Sequence, residues 1–227
     1  MDKGWIRLAG IAGIIFFLLV AVPSFVSGSP PDPSDPSSKF VTYYQDNRSA
    51  LISASLLGTL GDIFAVVFIG GLIFALRRLG APLVLLVAAL SAFILTGALA
   101  TTGGIFQIAT AFRVSAAQHV DAETIRLLAD ASAIAFTLIG VSVGALLAAM
   151  ALMFARVRFF PTWLAWVAGV GAVLEVIGSF SVYGTTGAFS PEGFLGLIFG
   201  LLPFAVFVVA TSIIMISRGD AIESSTA

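Results

Sequence analysis

Apolar residues gather into six long blocks, over residues 8–27, 49–76, 82–111, 124–155, 162–183 and 193–217. Short stretches of charge, glycine and proline separate them. About 20 apolar residues in a helix cross the ~30 Å hydrocarbon layer of a bilayer, so each block is predicted to be a transmembrane helix. The block ends carry physical markers. Arg77-Arg78-Leu79-Gly80 stops the second block, and Arg156, Arg158 and Arg218 close the fourth and the last. Pro82 and Pro161 stand where the third and fifth begin, a place where a missing N–H breaks no helical bond. Pro203 falls inside the last block and is expected to kink it, because its ring removes one backbone bond and crowds the turn before it.

Lys3 and Arg7 precede the first block and a Pro/Ser-rich stretch follows it. A cleaved signal peptide shares that layout. The length of the block is that of a crossing helix, so a retained first helix is predicted and cleavage stays open as the alternative. Lys3, Arg7, Arg77, Arg78, Arg156, Arg158 and Arg218 fall on one side of a six-crossing chain, and Lys39, Arg48, Arg113 and Arg126 on the other. Cytoplasmic loops carry the excess of Lys and Arg, which predicts both ends in the cytoplasm. The expected fold class is therefore an all-α, polytopic, six-transmembrane-helix bundle, N-in and C-in, forming a single membrane domain over residues 1–227.

Composition agrees with lipid as the solvent. Of 227 residues 59% are hydrophobic and 10% charged, with a mean hydropathy of +1.09, against about 25% charged in soluble domains. The net charge of −1 excludes a broadly basic nucleic-acid binder. The absence of cysteine removes disulfides, thiolate metal sites, iron–sulfur clusters and a cysteine nucleophile. A single histidine, His119, rules out bis-histidine haem within one chain. No cofactor and no metal is expected.

The outer loop, residues 28–48, opens with Pro30, Pro31, Asp32, Pro33, Ser34, Asp35 and Pro36 and is expected to be extended and mobile. From residue 38 prolines cease, and a helical turn or two is predicted, with Tyr43 and Tyr44 as anchors at the membrane interface. Trp163 and Trp166, next to Arg156 and Arg158, are predicted anchors at the opposite interface. In the second outer loop Asp121 is predicted to cap the fourth span, with Glu123 in its first turn. His119 beside Asp121 has no nucleophile to activate and carries little weight for hydrolysis.

The chemistry-bearing residues sit within the spans. Asp62 is near the centre of the second and Glu175 near the centre of the fifth. A carboxylate at mid-bilayer costs about 2.5–3.5 kcal/mol on insertion scales, so each is expected to face protein or water. Ser55, Thr59 and Asp62 share a helix face, as do Gly171, Glu175, Gly178 and Ser179, and as do Thr96, Ala100, Gly103, Gln107 and Thr110. The three faces are expected to meet at an interior polar site of Asp62, Glu175, Gln107, Thr59 and Ser179. No Lys or Arg lies at that depth, so at least one of the acids is expected to carry a proton. A proton or cation site and a neutral acid in an interhelical hydrogen bond both fit. Gly140-x-x-x-Gly144 allows close helix approach.

Tyr43-Tyr44-x-x-Asn47-Arg48, Asp121-x-x-x-x-Arg126 and Phe160-Pro161-x-Trp163-Leu164-x-Trp166 together resemble an uncharacterised bacterial family of six-helix integral membrane proteins, a domain of unknown function. The resemblance covers nearly the whole chain and implies a multi-pass protein of the bacterial inner membrane. It implies no activity, substrate or catalytic residue. The residues themselves lean away from an enzyme: HExxH, cysteine and a second histidine are all missing. The expected function is a non-enzymatic membrane protein, a structural or accessory subunit or a binder of lipid or a small apolar ligand. A proton- or cation-coupled small-solute transporter using the midplane acids is the alternative, and an intramembrane enzyme the remotest. The expected partners are the lipid bilayer and a membrane protein or second copy of the chain, with no nucleic acid.

Overall fold

A computed structural model describes residues 4–26, 28–116, 121–157, 159–184 and 194–224. Among them every regular element is helical: α1 (Trp5–Val26), α2 (Ser37–Asp46), α3 (Arg48–Arg78), α4 (Leu83–Ala116), α5 (Ala122–Arg156), α6 (Thr162–Ser179), prolonged by a 3-10 turn (Phe180–Tyr183), and α7 (Phe194–Ser224). All but the short α2 are long and apolar enough to cross a membrane. The chain is a multi-pass α-helical membrane protein.

The six long helices form a closed ring in the order α1, α3, α4, α5, α6, α7 and back to α1. An even number of crossings puts both chain ends on one side, called here the terminal face; the other is the distal face. Short connections enforce this order. After α3 the amide of Gly80 bonds the Arg77 carbonyl at 3.1 Å and that of Ala81 the Leu76 carbonyl at 3.0 Å. Gly80 has φ +84, and Leu76 and Ala81 are both buried. This double bond with its apolar clasp is the Schellman ending, and it turns the chain straight into Pro82. Both Pro82 and Pro161 sit one residue ahead of their helices, with their carbonyls accepting the first ladder bonds. α7 continues as one helix through Pro203.

Between α1 and α3 the Pro-rich segment forms a turn where an extended chain was expected. Asp32 accepts from the Ser34 amide at 3.0 Å and the Ser34 hydroxyl at 2.8 Å. Lys39 pairs with Asp35 at 2.6 Å. Arg126 of α5 donates to the Pro33 carbonyl at 2.6 Å. Side chains of aspartate tie the prolines into a turn, and a cation from the bundle pins that turn down. Two carboxyls outside the membrane, Asp35 beside Lys39 and Asp121 beside Thr124, are held below the usual carboxylate range by these hydrogen bonds.

α2 is a helix of nearly three turns that buries Ser37, Phe40 and Tyr44 on one face, the spacing of an amphipathic helix. It lies across the distal ends of α3, α4 and α5, and Ser37 donates to Glu123 at 2.5 Å. Asp121 caps α5, accepting from the Glu123 amide and the Thr124 hydroxyl.

Candidate functional site

The buried apolar residues fall into two separate clusters. The larger fills the terminal half of the ring, with Phe68, Leu72, Leu147, Met150, Phe154 and Phe207 fully buried. The smaller lies under α2, where Phe40 and Tyr44 meet Leu51, Ala111, Val114 and Ile125. Between these clusters runs a layer of small and polar side chains. It holds Ser55, Thr59 and Asp62 on α3, Thr96, Gln107 and Thr110 on α4, Ser132 and Ser142 on α5, and Glu175 and Ser179 on α6. Every residue of the predicted interior site lies in this layer.

The layer is divided among three seams. In the α3–α4 seam the Ser55 hydroxyl donates to Gln107 Oε1 at 2.8 Å. Thr59 is exposed, and its hydroxyl turns back to the Ser55 carbonyl at 2.9 Å. Asp62 shares the face of Ser55, two turns nearer the terminal face. Counting seven residues along each antiparallel helix from the Ser55–Gln107 bond sets Asp62 level with Ala100. Its carboxyl is half-buried and makes no hydrogen bond or ion pair among the described residues. The seam is thinly closed. A Cβ on Gly104 would meet only Ser55 Cβ, at 3.9 Å, and one on Gly58 or Gly97 would meet nothing within 4 Å.

In the α4–α5 seam Thr96 and Ser142 bond at 2.9 Å, and Ser132 donates to the Gly103 carbonyl at 2.9 Å. This seam takes up much of the polar face of α4. Sequence reasoning missed Ser132 and Ser142 because a lone serine in an apolar helix has no pattern of its own.

In the α5–α6 seam Gly140 and Gly144 do what their spacing predicts. A Cβ on Gly140 would lie 2.6 Å from the Glu175 carbonyl oxygen, and one on Gly144 3.0 Å from that of Ala172. Backbones approach that closely only over glycine. Ser179 donates to the Glu175 carbonyl at 3.0 Å. The Glu175 side chain enters the bundle, is 3% exposed, and its Oε1 has no hydrogen-bond partner.

The five predicted site residues thus share one layer but not one pocket. Asp62, Gln107 and Thr59 belong to the α3–α4 seam, and Glu175 and Ser179 to the α5–α6 seam, with the α4–α5 seam between them. Position along each helix was legible from the sequence, whereas the order of helices around the ring was not. Of the predicted interfacial anchors, Trp163 and Trp166 are 50% and 72% exposed near the terminal face. Tyr43 is half-buried, and Tyr44, 5% exposed, packs into the cluster under α2. Its ring meets protein because α2 folds back onto the bundle. His119 lies outside the described residues. Among the described residues no three of His, Cys, Asp and Glu gather as metal ligands do.

The family model described as "Domain of unknown function (DUF4386)" matches residues 8–219. No curated protein and no solved structure matches the chain.

Proposed function

We propose, for a chain that belongs to the DUF4386 family of domains of unknown function, a non-enzymatic role in binding a lipid or small apolar ligand at the α3–α4 seam. The observation that carries this reading is Asp62. A carboxyl at membrane depth without a protein partner demands a hydrogen-bond donor. Here it stands in a thinly closed seam, two turns along from the Ser55–Gln107 pair, with exposed Leu56, Ile63 and Ile105 along the same two helices. A polar floor between apolar walls suits an amphiphile: chain in the groove, donor group on the acid. Arg7, Arg77, Arg78, Arg156 and Arg218 on the terminal face, against Lys39, Arg48, Arg113 and Arg126 on the distal one among the described residues, support a plasma-membrane orientation with both ends in the cytoplasm.

Native mass spectrometry of protein purified in mild detergent tests the reading. The expected result is a stoichiometric small molecule or lipid retained by the wild type and lost from Asp62→Leu combined with Gln107→Leu. Retention unchanged in the double variant would sink it. A second reading, a proton-coupled carrier, is favoured by two membrane-depth acids, Asp62 and Glu175, with no Lys or Arg at that depth in α3 or α6. It predicts pH-driven solute flux in proteoliposomes that Asp62→Asn abolishes.

A further inference from the structure

Gly171 of α6 and Pro203 of α7 meet one helical turn from Glu175. A Cβ on Gly171 would lie 2.8 Å from Pro203 Cβ and 3.1 Å from Leu147 Cδ1, so α6, α7 and α5 are in contact at this level. One helical turn toward the distal face brings Glu175 round on α6 and Phe199 round on antiparallel α7, each on the face of its predecessor. Proline has no N–H, so the carbonyl four residues before Pro203, that of Phe199, has lost its helical donor. Glu175 Oε1 is buried without a partner. This register sets two acceptors at one level, one without a partner and one without its helical donor, an arrangement that is destabilising in a low-dielectric seam. One proton satisfies both.

We propose that Glu175 is a proton-binding site whose carboxyl O–H donates to the Phe199 carbonyl, latching α6 to α7. Release of the proton to water leaves a carboxylate facing a carbonyl oxygen; the two repel and the latch opens. The latch does not depend on ligand binding at the α3–α4 seam, and the experiments below read a different pair of helices. No described charged group competes for it. On α5 the charges are Glu123, Arg126, Asp130 and Arg156, and on α7 Arg218, Asp220 and Glu223, all toward helix ends. Beyond α6, Tyr183 is exposed, and Glu192 precedes α7 outside the described residues. Asp62 lies across the ring.

The test uses the full chain in nanodiscs, in an Asp62→Asn background so that one membrane-depth acid near the ring's middle remains. Infrared spectroscopy is expected to show a protonated-carboxyl C=O band that Glu175→Gln removes. Pro203→Ala restores the N–H and re-satisfies the Phe199 carbonyl within α7. In that variant the band is expected to move to higher frequency, as for a carboxyl that has lost its acceptor. Since the chain has no cysteine, spin labels can be placed cleanly at Ile177→Cys and Leu202→Cys, both exposed. Their separation is expected to widen as pH rises through the titration of the band in the wild type, and to stay constant in Glu175→Gln, whose amide donates at any pH. A band that ignores Pro203→Ala, or a label distance with the same pH response in Glu175→Gln, would overturn the latch. If either variant fails to fold, the wild-type pH titration of band and distance decides: the latch requires them to move together, and independent movement refutes it.

Discussion

Gly140→Ala is the most direct probe of the α5–α6 seam. A methyl there would sit 2.5 Å from Ser179 Oγ and 2.6 Å from the Glu175 carbonyl oxygen, well inside van der Waals contact. The same geometry means that the Gly140 Cα–H now points at those oxygens, a weak hydrogen bond of about 0.5–1 kcal/mol. Alanine improves helix propensity by roughly 0.5–1 kcal/mol. Overpacking costs about 1–3 kcal/mol, and the lost Cα–H contact about cancels the propensity gain, so a net loss of about 1–3 kcal/mol is expected. Gly97→Ala is the matched control, because its Cβ meets nothing within 4 Å and only propensity changes. Denaturation in mixed micelles, followed by tryptophan fluorescence, measures both. Adding Ser179→Ala to Gly140→Ala is expected to recover little, since the serine hydroxyl can rotate away but the Glu175 carbonyl is held in its helix. Equal stabilities for Gly140→Ala and Gly97→Ala would refute the close-packed seam. Full rescue by Ser179→Ala would refute the backbone as its cause.

Gly80→Ala puts a side chain at φ +84 in otherwise open space, and is expected to cost about 1–2 kcal/mol from backbone strain alone; the same denaturation assay reads it, and no change would remove the need for glycine in that turn. The Thr124 hydroxyl, followed by the Glu123 and Thr124 amides, lowers the Asp121 carboxyl below its usual value. Its cap therefore contributes fully above the ordinary aspartate range and is lost as pH falls through the lowered folded value, so amide exchange over residues 122–125, corrected for its intrinsic pH dependence, is expected to accelerate there in wild type but not in Asp121→Asn. Arg126→Ala removes the bond to the Pro33 carbonyl and is expected to speed proteolysis within residues 28–36 several-fold in proteoliposomes; an unchanged rate would show that Arg126 does not hold the segment.

How much of this was legible in the sequence depends on the range of the interaction involved. The six spans, the Asp121 cap and the glycine spacing at 140 and 144 all follow from local sequence. Helical period and the cost of placing charge in hydrocarbon are sufficient to read them. The contact that anchors the Pro-rich turn was not legible, because its donor is Arg126, more than ninety positions away in the chain. Tyr44 was expected at the lipid interface for the same reason: an amphipathic helix announces an apolar face but not what will cover it.

Composition and periodicity by themselves determined the medium, the class of fold, the number of crossing helices and which positions carry polar groups at depth. Only the tertiary structure decided which helix neighbours which, and hence that Asp62 stands in an open seam while Glu175 is sealed behind two glycines. Apolar helices in lipid are nearly interchangeable along their lengths. The ring order is set by a few close approaches and hydrogen bonds between distant segments, and no local pattern encodes them.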